Sequence, residues 1–288
     1  MHISSISKYR SELMGIAILD VMVLHSLSWT EMQHPGWLVV ILRTFGRLIF
    51  TEGFLFLSGF GLFYSCMKLA AVKPFYKRRF TRLMIPYLLI AGPFLIYYYL
   101  IGDIGLDVLL LKMSTIYFWF MGNDGMWYIS VSVLLYLLYP VLFRIVKWSW
   151  WGGVILLISS IMIVLCIYFF ANGYYKFTSF GISKIPYFFL GIICGRMSYQ
   201  GFRINNMWLL PITIMLGLSY LIPKYELMIL FSESLWRIVG VSICCYCIMK
   251  LSQEGIVRKM LRYIGKYTLD LYVWHMFLWP IFHSLVQN

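Results

Sequence analysis

The sequence predicts an all-α integral membrane protein, a polytopic helical bundle of about nine to ten transmembrane helices, on three observations. Of 288 residues, 61% are hydrophobic and only 12% charged, and the mean hydropathy is +0.81, which leaves too little polar surface to cover a water-soluble body of this size. Apolar windows of about 16 to 22 residues recur along the chain, and at ~1.5 Å rise per residue each approaches the ~30 Å hydrocarbon core of a bilayer. Apolar and polar residues do not alternate within these windows, so helices are expected and the strands of a barrel are not. Aromatic residues make up 19% of the chain, and many of its 11 Trp and 22 Tyr flank the windows, as interfacial belts require.

In order, the expected spans are 13–29, 48–67, 83–101, 126–146, 152–171, 185–199, 207–222, 235–251 and 267–286. Two further stretches read as interfacial or re-entrant helices: 37–47, with Arg43 and Arg47 one turn apart, and 106–121, with Lys112 beside an aromatic cluster. No internal repeat, low-complexity linker or composition break interrupts the series, so residues 1–288 read as a single membrane domain.

Basic residues set the expected orientation. With the N-terminus inside, 17 of the 24 Lys and Arg face the cytoplasm, including the run Lys73, Lys77, Arg78, Arg79 and Arg82; six lie outside, and Arg237 falls within a span. Nine crossings with the N-terminus cytoplasmic preserve that asymmetry. The net charge of +13 then points to the inner face and anionic headgroups, with no support for a nucleic-acid partner. The first span is expected to stay in place and not to be cleaved as a signal peptide, because Asp20 and His25 interrupt it and no small-x-small site follows. Six cysteines lie in or at the ends of spans, where they behave as small hydrophobes. Cys244 and Cys247 have a CxxC spacing with no second ligand pair, so no metal is expected.

Ionisable groups at membrane depth are costly to keep there, and chemistry is sought among them. They are Asp20 and His25 in the first span, Glu52 in the second, Glu233 and Arg237 at the edge of the eighth, and Asp270 and His275 in the ninth. His25 and Glu52 fall at similar depth in the outer half. A histidine beside a carboxylate makes a base able to take a proton from a hydroxyl; alternatively, each histidine is a helix–helix hydrogen-bonding contact. The basic run is also open to two readings. Arg79 and Arg82, three residues apart, can present two guanidinium forks to phosphate oxygens, or the run serves topology and lipid contact alone.

Taken together, five segments resemble the acyltransferase type 3 family of membrane proteins. They are Met14-Gly15-Ile16-Ala17-Ile18-Leu19 leading to His25-Ser26; Glu52-Gly53-Phe54-Leu55-Phe56-Leu57-Ser58-Gly59-Phe60; Arg79-Phe80-Thr81-Arg82 with Pro86; Gly125-Met126-Trp127-Tyr128-Ile129; and Ile264-Gly265-Lys266-Tyr267-Thr268-Leu269 leading to Leu271-Tyr272-Val273-Trp274-His275. They occur in the family's order and cover essentially the whole chain. Two features depart from the family pattern: Met14 stands where a cation is usual, with Arg10 one turn away, and nine spans are read where ten are common.

The resemblance implies an O-acetyltransferase of the cell membrane that moves an acetyl group from acetyl-CoA to a hydroxyl of a cell-surface carbohydrate. On that reading Arg79 and Arg82 bind the phosphates of acetyl-CoA. His25 is the general base or a transient acyl carrier, and Glu52 orients or charge-balances it. Trp127 and Tyr272 line the acceptor cavity, with His275 a further substrate-binding or structural residue. The rival reading is a transporter or flippase for a polar polysaccharide precursor, in which the same groups line a solute path. The lack of symmetric interrupted segments in the sequence weighs against it.

Overall fold

The computed structural model describes residues 4–29, 36–37, 39, 41–42, 48–68, 71–122, 124–202, 226–252 and 255–287, with the backbone alone at 28–29, 226–236 and 279–287. Every regular element among them is helical: α1 Ser4–Lys8, α2 Arg10–Trp29, α3 Phe50–Lys68, α4 Val72–Leu100, α5 Leu106–Met113, α6 Tyr117–Met121, α7 Trp127–Trp148, α8 Trp150–Phe170, α9 Asn172–Ile182, α10 Ile185–Tyr199, α11 Glu226–Lys250, α12 Ile256–Lys266 and α13 Thr268–Gln287. Among the described residues, four stretches are long and apolar enough to cross a membrane: α4, α7, α8 and Asn172–Tyr199. Only 17% of the apolar window of α8 is buried, and Trp151, Ile155, Met162 and Phe169 stand exposed along it. An apolar surface of that extent is at home in lipid and not in water. The expected span 207–222 and most of the expected interfacial helix 37–47 lie outside the described residues.

Contacts divide the chain into two compact units, residues 1–64 with 190–268, and residues 65–189 with 269–288. In the first unit α2 and α3 run antiparallel: the Asp20 carboxylate meets Ile49, and Arg10 meets Leu57. Glycines let helices in this unit approach closely, as small residues do in membranes. A Cβ at Gly265 would lie 1.7 Å from the Ser11 carbonyl oxygen and one at Gly15 2.2 Å from that of Leu261, while Gly191 would strike the Phe56 carbonyl at 2.1 Å. The α2–α12 seam is completed by Glu12, buried, which accepts from Arg258 Nε at 3.1 Å and Arg262 Nη2 at 3.1 Å. Sequence alone assigned residues 256–266 to a basic loop; they form a helix because Gly265 and Arg258 face α2 while Ile256, Val257, Met260 and Tyr263 share the opposite, exposed side.

In the second unit α4 starts at Val72, three turns earlier than the expected span at Leu83, so the basic run is helical. Pro74 does not prevent this, since first-turn N–H groups have no intrahelical partner to lose. Phe75, Leu83 and Tyr87 are buried on one stripe of α4, and Phe75 stacks on Tyr139 of α7 at 5.5 Å while the Tyr76 hydroxyl donates to the Leu137 carbonyl at 2.7 Å. The stretch 106–121 folds as two short helices, α5 and α6, separated by a turn. After α6 the chain turns at Gly122, where φ is +62° and a Cβ would lie 2.4 Å from that of Phe177. Both the left-handed backbone and the space call for glycine there.

Candidate active site

In the first unit the groups of interest gather where α2 and α3 meet. The backbone N–H groups at the start of α3 have no intrahelical acceptor, and Ile49, just before it, is fully buried. Asp20 supplies one: its Oδ2 accepts from Ile49 at 2.8 Å and lies 3.5 Å from the Phe50 nitrogen. A carboxylate also opposes the positive end of the helix dipole. Glu52, fully buried in the first turn of α3, is ion-paired with Arg237 of α11, and Thr51 Oγ1 donates to Glu52 Oε2 at 3.1 Å. The Arg237 guanidinium also lies over the Phe50 ring, 4.7 Å from its centroid. His25 is half-buried and follows Asp20 by five residues, about 7.5 Å along the helix. It therefore lies past the Asp20–Ile49 contact toward the C-terminal end of α2, whereas Glu52, three residues after Ile49 in the antiparallel α3, lies about 4.5 Å to the other side of that contact. Arg10 lies at the other end, where its Nε donates to the Leu57 carbonyl at 2.9 Å and its guanidinium fills the space above Gly61.

In the second unit the two arginines of the basic run differ. Arg79 falls four residues after Phe75 and four before Leu83, on the buried stripe of α4, and is half-buried; Arg82 is exposed, as are Lys73, Lys77 and Arg78. Tyr136, Tyr139 and Cys66 are near enough to Arg79 to interact with it electrostatically. Its Nε is buried without a hydrogen-bond partner among the described residues, and so is the Tyr139 hydroxyl. Buried polar groups are nearly always satisfied, and an unsatisfied one costs about 1–3 kcal/mol.

The remaining sequence-selected residues share an aromatic cluster in the same unit. Trp127 opens α7 and is buried; its ring meets Tyr128 edge-on at 6.1 Å, Tyr128 meets Tyr272 at 5.7 Å, and Tyr272 meets His275 at 5.6 Å. The Tyr272 hydroxyl donates to the Gly125 carbonyl. His275 Nδ1 sits 3.0 Å from the Leu271 carbonyl oxygen. A carbonyl only accepts, so the proton of the pair is on Nδ1. Beside this cluster a cavity of about 190 Å³ is lined by Tyr87, Leu95, Lys112, Asp124, Gly125, Met126, Met276 and Phe277. Tyr272, bonded to the Gly125 carbonyl, and Trp127, next to Met126, thus adjoin two of its lining residues.

Sequence reasoning singled out Asp20 and Arg237 as costly groups but gave them no task; the helix-capping role of the first and the pairing of the second depend on chain crossings that no local pattern encodes. Glu12, Asp124 and Tyr87 were missed. A clue to Asp124 lay in the run Gly122-Asn123-Asp124-Gly125, whose residue types favour a turn.

A family model described as an acyltransferase domain matches residues 13–288. The chain belongs to the acyltransferase type 3 family and is a multi-pass membrane protein with an acyltransferase domain. No curated protein and no solved structure matches it.

Proposed function

We propose that the chain is a cell-membrane O-acetyltransferase with a cytoplasmic N-terminus and nine to ten crossings, taking acetyl from acetyl-CoA and placing it on a hydroxyl of a surface carbohydrate. The observation that carries this reading is the state of Arg79 within a family member. Topology and headgroup contact need exposed charge, which Lys73, Lys77, Arg78 and Arg82 supply; Arg79 is set on the buried stripe instead, with its Nε lacking a partner among the described residues, a cost that a bound anion would offset. Phosphate oxygens suit the guanidinium, since the planar fork binds them through two parallel charge-assisted bonds. Arg82, three residues on and exposed, adds a second contact to the same donor.

In the transfer, the acceptor hydroxyl oxygen attacks the thioester carbonyl carbon. The new O–C bond forms as the C–S bond breaks; the hydroxyl proton passes to His25 and from it to the leaving CoA sulfur. Glu52 with Arg237 sets the electrostatics about two turns inward of His25, and Asp20 fixes the backbone between them. Trp127, Tyr272 and His275 shape the acceptor side. The test is donor consumption by the purified chain: acetyl-CoA hydrolysis or transfer that depends on Arg79 supports the reading. A chain that moves a solute across vesicles and leaves acetyl-CoA intact would instead be a transporter or flippase.

A further inference from the structure

We infer that the cavity beside Lys112 and Asp124 is a subsite for a single neutral pyranose ring. Calling that ring part of the acceptor rests on the acetyltransferase reading; the binding itself does not.

Size sets the first limit. About 190 Å³ is the room of about six waters and lies below the ~300–1,000 Å³ of pockets for drug-sized ligands. A CoA nucleotide does not fit, whereas one sugar ring does.

The lining sets the chemistry. Lys112 Nζ is 3.2 Å from Asp124 Oδ1, so the polar corner carries a strong donor and a strong acceptor side by side with no net charge. A sugar hydroxyl both donates and accepts, and two neighbouring hydroxyls can engage the carboxylate and the ammonium together. A charged sugar would meet like charge on one of the two. The lining also includes two rings: Tyr87, buried, and Phe277, which stacks on Phe94 at 5.0 Å with planes 8° apart. Phe94 is braced in turn by the edge of Trp274 at 6.0 Å. A mostly apolar pocket with a few placed polar groups is the usual form of a small-molecule site, and the apolar C–H face of a pyranose suits flat aromatic walls.

The corner is also held in place. The Tyr87 hydroxyl donates to the Lys112 carbonyl at 2.7 Å, the Trp127 N–H donates to the Asp124 carbonyl at 2.9 Å, and Tyr272 holds Gly125. The Lys112 ammonium lies 4.5 Å from the Tyr117 ring centroid. At Gly125 a Cβ would come 2.4 Å from Met276 Cε, so a side chain there would push into the cavity. An ion pair that served only as surface decoration is worth ~0–1 kcal/mol and needs none of this bracing.

The full chain in nanodiscs, titrated with methyl glucoside, methyl galactoside, N-acetylglucosamine and glucuronate and followed by saturation-transfer NMR, decides the matter. At least one neutral pyranose should receive saturation at its ring C–H protons, more strongly than glucuronate. Asp124→Asn and, separately, Lys112→Met should each weaken that binding about tenfold or more, with helix content unchanged by circular dichroism, while Lys73→Gln leaves it intact. Phe277→Leu, which touches no ion pair, should weaken it as well and serves if either polar variant fails to fold. No saturation of any neutral pyranose, preference for glucuronate, or binding that survives the lining variants overturns the inference. Acetyl-CoA turnover in the same preparation is read separately, so loss of the donor reading with sugar binding intact, or the reverse, shows which of the two has failed.

Discussion

Glu52 and Arg237 form a buried ion pair between residues 185 positions apart in sequence, joining the first turn of α3 to α11. Removing one partner leaves an uncompensated charge inside the fold, at a cost of about 3–5 kcal/mol. Arg237→Met should therefore lower the melting temperature of the detergent-solubilised chain sharply. Glu52→Gln with Arg237→Met together should recover part of that loss in a double-mutant cycle. Additive losses would show that the pair is not coupled.

Asp20 acts as a cap supplied from a neighbouring helix. Asp20→Ala removes the acceptor for the Ile49 N–H and should destabilise by about 0.5–2 kcal/mol or more, the range of cap deletions, whereas Asp20→Asn keeps an acceptor oxygen and should lose less. Amide exchange at Ile49 and Phe50 reads the effect directly: the alanine variant should exchange faster at these two positions. Unchanged protection there would mean that the start of α3 is held by other groups.

Gly265→Ala tests the α2–α12 seam. A Cβ 1.7 Å from the Ser11 carbonyl oxygen meets backbone, which cannot yield as a side chain end does, so the helices must separate and the Glu12 contacts with Arg258 and Arg262 loosen. We expect a loss of about 1–3 kcal/mol, the scale of overpacking in a filled core, seen as a lower unfolding temperature. A neutral result would show that α12 shifts freely on α2.

The two arginines of α4 should respond unequally to a charge-preserving change. Arg79→Lys keeps the charge but loses the fork, and at roughly 1.5–3 kcal/mol for a charge-assisted bond the apparent acetyl-CoA constant should rise about tenfold or more. Arg82→Lys should raise it less, because the exposed side chain is less fixed, and Lys73→Gln or Lys77→Gln should change it little. Equal, small effects at all four positions would return the run to topology and lipid contact.

Much of the fold was legible in the sequence because lipid imposes a simple rule: the apolar windows ending at Ile101, Ala171 and Tyr199 match the ends of α4, α8 and α10 within a residue. Where the window misled, charge was the reason. Lys73 to Arg82 looked like a loop because hydropathy falls there, yet Phe75, Arg79, Leu83 and Tyr87 keep helical spacing straight through it. Residues 256–266 likewise carry their charged groups, Arg258, Lys259, Arg262 and Lys266, on one side only. The site was legible residue by residue through its motifs, but its partners were not. Asp20 with Ile49, Glu52 with Arg237 and Lys112 with Asp124 meet through packing, and only the last of these pairs is even close in sequence.

Label transfer tests the central claim most directly. Membranes carrying the chain, given radiolabelled acetyl-CoA and a crude surface-polysaccharide fraction, should move label into alkali-labile esters on carbohydrate. His25→Ala, inserted at normal level, should bring that transfer to background, since no other group is assigned the hydroxyl proton. Label that stays on CoA with the unaltered chain, or transfer that continues undiminished in His25→Ala, would contradict the account.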